Sequence, residues 1–268
     1  NNVLAAVNLE GNKFFYVNPL DADGKYPFNH GTAGRAPWFG TACCPSNMAR
    51  LIPQVPGMTY AHDDGHIYIT FYAESSTEID VAGTKVKIAQ STNYPNDGKI
   101  SIRLDPAQSG QFRLHLRIPT WAQGEQFVPG GLYEFVDPEG APVSLSVNGR
   151  AVEATHLEKG FVVIERDWQA GDKVELDLPM PVRANRSHPS VEANVDRIAL
   201  TRGPFVMCAE GIDNGGVTQR YFFKGESKTT EAKISTKTID HGSFLQATIT
   251  ARALTEEGGS KAIIPLVL

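Results

Sequence analysis

The sequence predicts a mainly β protein: two β-sandwich domains preceded by the end of a helical domain. Three observations predict it. Apolar and polar residues alternate in short runs: Ile67, Ile69 and Phe71 against His66, Tyr68, Thr70 and Tyr72; Phe112, Leu114, Leu116 and Ile118 against Arg113, His115 and Arg117; Val174, Leu176 and Leu178 against Lys173, Glu175 and Asp177. A period of two turns one face of a strand into a core and leaves the other in water. Turn residues separate these runs, with 25 glycines and 17 prolines spread along 268 residues instead of gathered in one linker. That is the pattern of an antiparallel sandwich. Helical signals are confined to one short stretch near residue 45.

Taken in order, residues 3–18 predict a hairpin that turns at Glu10-Gly11-Asn12 and returns through Phe14-Phe15-Tyr16-Val17. Residues 19–42 lack periodicity and are rich in Gly, Pro and aromatic residues. Residues 45–52 read as a helix. Proline is tolerated in a first turn, where its missing N–H costs nothing, and Pro53 and Pro56 should stop the helix. A lone helix after a long irregular loop is a poor free-standing domain, so it reads as the tail of a helical domain upstream. From residue 61 onward, strands are expected at 66–72, 99–104, 112–118, 143–147, 161–165 and 173–178. Asn148-Gly149 is a hairpin signal, because its turn needs two consecutive residues at positive φ. Pro179, Pro181 and the polar stretch 185–190 mark a second boundary. The remainder, 191–268, has strands of its own, among them 197–207 and 243–251. The expected domains are therefore 1–60, 61–186 and 187–268.

Composition narrows the function. Hydrophobic residues make up 41% and charged ones 21%, enough for a real core. With 25 Lys+Arg against 30 Asp+Glu, the net charge is −5, and there is no basic excess for a nucleic-acid backbone or an anionic membrane. No apolar run approaches the ~20 residues of a membrane-spanning helix. Three cysteines exclude a disulfide-rich scaffold. The chain begins Asn1-Asn2-Val3, without Met or a leader pattern, and so reads as processed or as a piece of something longer.

The sharpest chemical feature is Ala42-Cys43-Cys44-Pro45-Ser46-Asn47. Adjacent Cα atoms lie ~3.8 Å apart, below the usual disulfide span, so a bond between the two would be strained. They read better as thiols. At a helix start, unpaired N–H groups and the helix dipole favour the thiolate, the form that attacks carbon or binds zinc. Inert packing is the competing reading for the pair alone, since cysteine often acts as a small hydrophobe. No Cys-x-x-Cys or His-x-His partner accompanies it. Cys208, in an apolar strand, reads as structural. His62 and His66 are spaced i,i+4, but at a strand start that spacing does not bring side chains together, and Asp63-Asp64-Gly65 between them reads as a turn. No phosphate-binding glycine loop or Gly-x-Ser-x-Gly elbow is present. Tyr16, Tyr26, Phe28, Trp38 and Phe39 surround the irregular loop, where aromatics either platform a sugar ring or fill a core.

Three segments together are more informative: 14–20 (Phe-Phe-Tyr-Val-Asn-Pro-Leu), Trp38-Phe39-Gly40, and 42–50 around Cys43-Cys44. They resemble the beta-L-arabinofuranosidases of glycoside hydrolase family 127, long labelled the DUF1680 group. Relatives in family 146 look similar, and residues 197–210 resemble a recurring segment of the same group. The resemblance implies an (α/α)6 catalytic barrel followed by two β-sandwiches, with this chain holding the end of the barrel and the sandwiches. It implies a retaining hydrolase with Cys43 as nucleophile and zinc ligand and Cys44 as zinc ligand. The remaining ligands, a Glu-x-Cys pair, and the acid/base glutamate would precede residue 1, so residues 1–268 alone are expected to be inactive. Tyr16 would face the sugar pocket, with Trp38 as a second substrate-binding candidate. The implied partner is an arabinose-containing oligosaccharide or glycan. A non-catalytic sandwich module, for carbohydrate binding or for homodimerisation, is the alternative class.

Overall fold

The structure is a computed structural model, and it describes residues 6–8, 10–17, 22–124, 130–137, 140–211, 214–215, 221–222, 233–239, 242–254 and 261–267. The chain forms two compact units, Ala49–Ile198 and Asn1–Met48 together with Ala199–Leu268.

The Ala49–Ile198 unit holds β1 (Tyr60–Asp63), β2 (His66–Ile69), β3 (Ser75–Val81), β4 (Thr84–Thr92), β5 (Lys99–Pro106), β6 (Gly110–Arg117), β7 (Tyr133–Phe135), β8 (Ser144–Val147), β9 (Arg150–Val152), β10 (Phe161–Trp168), β11 (Asp172–Asp177) and β12 (Val182–Ser187). A four-stranded sheet, β1-β2-β6-β10, and a six-stranded sheet, β3-β4-β5-β11-β8-β9, enclose one core. Alternation decides which side chains enter it. Ile67, Ile69, Leu114 and Leu116 come from the first sheet; Val86, Ile102, Leu104 and Val174 come from the second, all fully buried. Trp168 lies between them with its indole N–H donating to the Phe112 carbonyl at 3.0 Å, the partner a buried indole needs. The expected Asn148-Gly149 turn joins β8 to β9, with φ of 51° and 76° at its two central residues.

Two local expectations change. Antiparallel pairing fails at one place: β2 runs parallel to β6, because three strands of the other sheet intervene between them in the chain. The 66–72 alternation also stops early. β2 ends at Ile69, Phe71 is exposed and Tyr72 is buried with its hydroxyl on the Arg117 carbonyl. Position 186 falls within β12, which pairs with β7 through Asn185↔Phe135 and Arg186↔Glu134.

In the other unit, isolated bridges place Phe14 between Val7 and Ala36. Residues 3–5, 9 and 18 of the expected hairpin lie outside the described residues. β13 (Ala199–Arg202) and β14 (Phe205–Met207) form a hairpin. The long β17 (Gly242–Leu254) pairs with β15 (Tyr221–Phe222), β16 (Lys233–Ile239) and β18 (Lys261–Val267), all antiparallel. The chain is mainly β, as the alternation predicts. Among the described residues, no helix is long and apolar enough to cross a membrane.

Candidate active site

The helix α1 runs Cys43–Leu51, two residues ahead of the expected start, and a 3-10 turn at Ile52–Met58 holds both prolines that stop it. The Ser46 N–H donates to the Ala42 carbonyl at 3.2 Å, and the Ser46 hydroxyl donates to the Cys43 carbonyl at 3.1 Å. Cys43 and Cys44 therefore occupy the first turn, where backbone N–H groups have no intrahelical acceptor. None of the residues of α1 is buried.

Cys43 and Cys44 are free and exposed, with their sulfurs 3.6 Å apart. The hydrogen bond from Cys44 holds the Cys43 thiol below its ordinary pKa, and the Cys44 backbone N–H and the Tyr16 hydroxyl add to it. Tyr16 approaches from the Phe14–Val17 segment, with its hydroxyl 2.9 Å from the Cys44 sulfur. That bond, burial and the negative charge of the thiol pair raise the phenol pKa. His30 and Phe39 pack around the Tyr16 ring, with centroids 4.6 and 5.8 Å away.

Two sulfurs bound to one tetrahedral zinc at ~2.3 Å stand ~3.8 Å apart. The observed 3.6 Å fits two ligands of such an ion without rebuilding the turn. Among the described residues, no group of three or more His, Cys, Asp or Glu converges, so at this turn the described residues place two sulfur donors together.

The structure therefore brings Tyr16, Cys43 and Cys44 together. Trp38 is exposed on the same loop. Cys208, read as structural in an apolar strand, lies one residue past β14 and is exposed. Two features escaped the sequence. Asn29, fully buried, ties the Tyr16 segment to the loop that follows it. His66 Nδ1 and His115 Nε2 lie 2.9 Å apart on neighbouring strands. The first had only the turn signal Asn29-His30-Gly31 to announce it; the second depends on the parallel β2–β6 register, which no local pattern encodes.

Three family models match in chain order: the GH127 beta-L-arabinofuranosidase catalytic domain over 1–57, its middle domain over 66–180, and the glycoside hydrolase family 127 C-terminal domain over 182–265. The chain belongs to glycoside hydrolase family 127. A non-reducing end beta-L-arabinofuranosidase of Bifidobacterium longum subsp. longum is 33% identical over 236 residues, 82% of this chain and 32% of the relative. A solved GH127 beta-arabinofuranosidase superposes with a TM-score of 0.86 at 35% identity, covering 100% of this chain and 40% of that one. A GH127 beta-L-arabinofuranosidase from Geobacillus stearothermophilus T6 gives 0.84 at 31%, covering 100% and 41%. The chain thus spans about a third of the length of its curated relative.

Proposed function

We propose that this family 127 chain is the cysteine-bearing part of a retaining glycoside hydrolase that releases L-arabinofuranose from beta-L-arabinofuranosides. The observation that carries the reading is the thiol pair at the start of α1, sulfurs 3.6 Å apart, with the Tyr16 hydroxyl on Cys44. Ordinary retaining glycosidases use two carboxylates; here the Cys43 thiolate takes the nucleophile's place. Its sulfur attacks the anomeric carbon, the glycosidic C–O bond breaks, and the electron pair leaves on the departing oxygen, which takes a proton from a general acid. Water then attacks the same carbon, the C–S bond breaks, its pair returns to sulfur, and the water's proton goes to the same group acting as base. Two displacements retain the configuration.

The helix start and the hydrogen bond from Cys44 favour the thiolate at Cys43. The Tyr16 hydroxyl, 2.9 Å from the Cys44 sulfur, closes one wall of the sugar site in this reading. The exposed indole of Trp38 offers a surface for the substrate on the same loop. A zinc ion held by Cys43 and Cys44 supplies charge that keeps both sulfurs deprotonated. In this reading, the other zinc ligands and the acid/base carboxylate lie outside residues 1–268.

The test is a pair of variants in the full-length enzyme, read by zinc analysis and a chromogenic arabinofuranoside. Cys43→Ser should abolish turnover in a folded protein, because a serine hydroxyl is a far weaker acid and a poor zinc ligand. Cys44→Ser should lose zinc first and activity as a consequence. The isolated 268-residue chain should bind zinc weakly and turn over nothing. Undiminished turnover in folded Cys43→Ser overturns the assignment.

A further inference from the structure

We propose that Asn29 is a positioning residue for the thiol site, acting through Tyr16; the inference rests on the reading of that site given above. Asn29 is fully buried, whereas the other described residues of the loops around it are exposed or half-buried. Its side-chain oxygen accepts from two consecutive backbone N–H groups, Tyr16 at 2.7 Å and Val17 at 3.2 Å. Its amide nitrogen donates to the Gly34 carbonyl at 2.9 Å. Its own backbone is locked as well. The Asn29 N–H donates to the Thr32 carbonyl at 2.9 Å, and the Thr32 N–H returns to Asn29 at 3.3 Å. The turn between them runs through His30 and Gly31, both at positive φ (49° and 91°).

The contacts differ along the Phe14–Val17 segment. Phe14 exchanges hydrogen bonds with Ala36, and the Phe15 N–H donates to the Ala6 carbonyl. At Tyr16 and Val17, one side-chain atom of Asn29 receives both N–H groups. Tyr16 is the residue whose hydroxyl reaches Cys44. The lever is long: from Cα to hydroxyl a tyrosine spans about 6.5 Å, so a backbone rotation of about 10° carries the oxygen about 1 Å, enough to lose a hydrogen bond. A clamp on the Tyr16 N–H therefore sets whether phenol and sulfur meet.

Residue chemistry explains why asparagine stands here. The position needs an acceptor for two N–H groups and a donor for one carbonyl on the same planar group. An apolar residue would leave three backbone groups, the Tyr16 and Val17 N–H and the Gly34 carbonyl, without that partner. Aspartate would keep the acceptor and lose the donor.

The test reads Cys44 directly, without glycosidase activity. Zinc-free full-length enzyme is alkylated with iodoacetamide over a pH series, the plateau rate at high pH is taken for each variant so that the ionised fraction drops out, and each cysteine is followed by mass spectrometry. Removing a donor from a thiolate raises its nucleophilicity. Tyr16→Phe and Asn29→Ala should each speed alkylation of Cys44 by about fivefold, the factor that corresponds to one ordinary hydrogen bond. The double variant should be no faster than either single one, because Asn29 acts through Tyr16. Asn29→Asp, which keeps the acceptor, should react like the unaltered protein. If circular dichroism shows Asn29→Ala unfolded, Asn29→Ser, whose shorter side chain cannot span to the Tyr16 and Val17 N–H groups and the Gly34 carbonyl, replaces it: acceleration of Cys44 in it that Tyr16→Phe does not increase further supports the clamp, and an unchanged rate in the folded variant overturns it. Multiplicative effects in a folded double variant, or acceleration in folded Asn29→Asp, overturn the proposal. Those results would leave the hydrolase reading standing, and a failure of the hydrolase test would leave this coupling measurable.

Discussion

The sandwich of β1–β6 and β8–β11 and the loop-helix segment from Ala6 to Leu51 are built on opposite plans. The sandwich stands on apolar burial: Ile67, Leu104, Leu114 and Val174 meet in one core with essentially no exposed surface. The segment that bears the thiols has two buried residues among those described, Ala6 and Asn29. Directed hydrogen bonds to backbone groups and edge-to-face rings hold its shape. The difference separates two demands. A core needs only the right side chains facing inward, whereas a nucleophile must stay open to substrate while being aimed. Substitutions should therefore divide cleanly: those in the sandwich change stability and spare the thiols, and those around Tyr16 and Cys43 do the reverse.

The sharpest break in that division is expected from Leu104→Ala. It empties a fully buried site facing the other sheet, and should cost about 2–5 kcal/mol in urea unfolding with Cys43 and Cys44 alkylation rates unchanged in the folded protein. Cys43→Ser, exposed at the helix start, should leave the urea midpoint where it was. A common response of midpoint and thiol rate to either change would erase the distinction.

Gly98→Ala probes close approach within the sandwich. A Cβ there would sit 1.8 Å from the Leu178 carbonyl oxygen, a backbone atom that also accepts no rearrangement by rotamer. The Leu178 N–H donates to the Gly98 carbonyl at 2.9 Å, so the two segments are already tied. The strain should cost about 1–3 kcal/mol, measured by the same unfolding curve, and an unchanged midpoint would show that these segments are free to part.

How much of this was legible follows the same line. Alternation in 112–118 and 173–178 announces β6 and β11 because each has one face in the core, and Asn148-Gly149 announces its hairpin because the turn needs two positive φ angles. Cys43-Cys44-Pro45 announces two free thiols in the first turn of a helix, because adjacent cysteines resist a disulfide and proline is tolerated there. Phe71 misleads, because the strand ends two residues earlier and parity beyond a strand end means nothing. The Asn29 clamp and the His66–His115 pair were not legible. Both join residues far apart in the chain, 12 or 13 residues in one case and 49 in the other, and their partners are fixed by tertiary placement alone.

The histidine pair yields a smaller, pH-dependent test of the sandwich. Burial, then the neighbouring charge of His66, pushes the His115 pKa below its ordinary value, with Glu158 and Asp63 opposing and Arg113 assisting. The unfolded chain therefore takes up a proton before the folded one does. Stability from this group is complete above about pH 6.5, the ordinary histidine value, and is lost as the pH falls from there through the folded-state pKa. The urea midpoint should drop between pH 7.5 and 5.5, a span taken to bracket that value, and His115→Gln should flatten the drop. An equally steep drop in the variant assigns it to other groups. Smallest of all should be Arg113→Ala. Its 2.8 Å pair with Glu165 lies on the half-exposed outer face of the same sheet, where such bridges contribute about 0–1 kcal/mol; a larger loss would mean that the outer face also supports the fold.

The central claim is that Cys43, and not a carboxylate or its neighbour Cys44, forms the bond to the sugar. It is tested most directly by treating the full-length enzyme with an arabinofuranosyl epoxide or haloacetamide inactivator and mapping the adduct by peptide mass spectrometry. The account predicts stoichiometric labelling on the Cys43 sulfur, suppressed by substrate and absent from Cys43→Ser. A substrate-protected adduct on Cys44 or on an Asp or Glu side chain, with Cys43 unmodified, would contradict it.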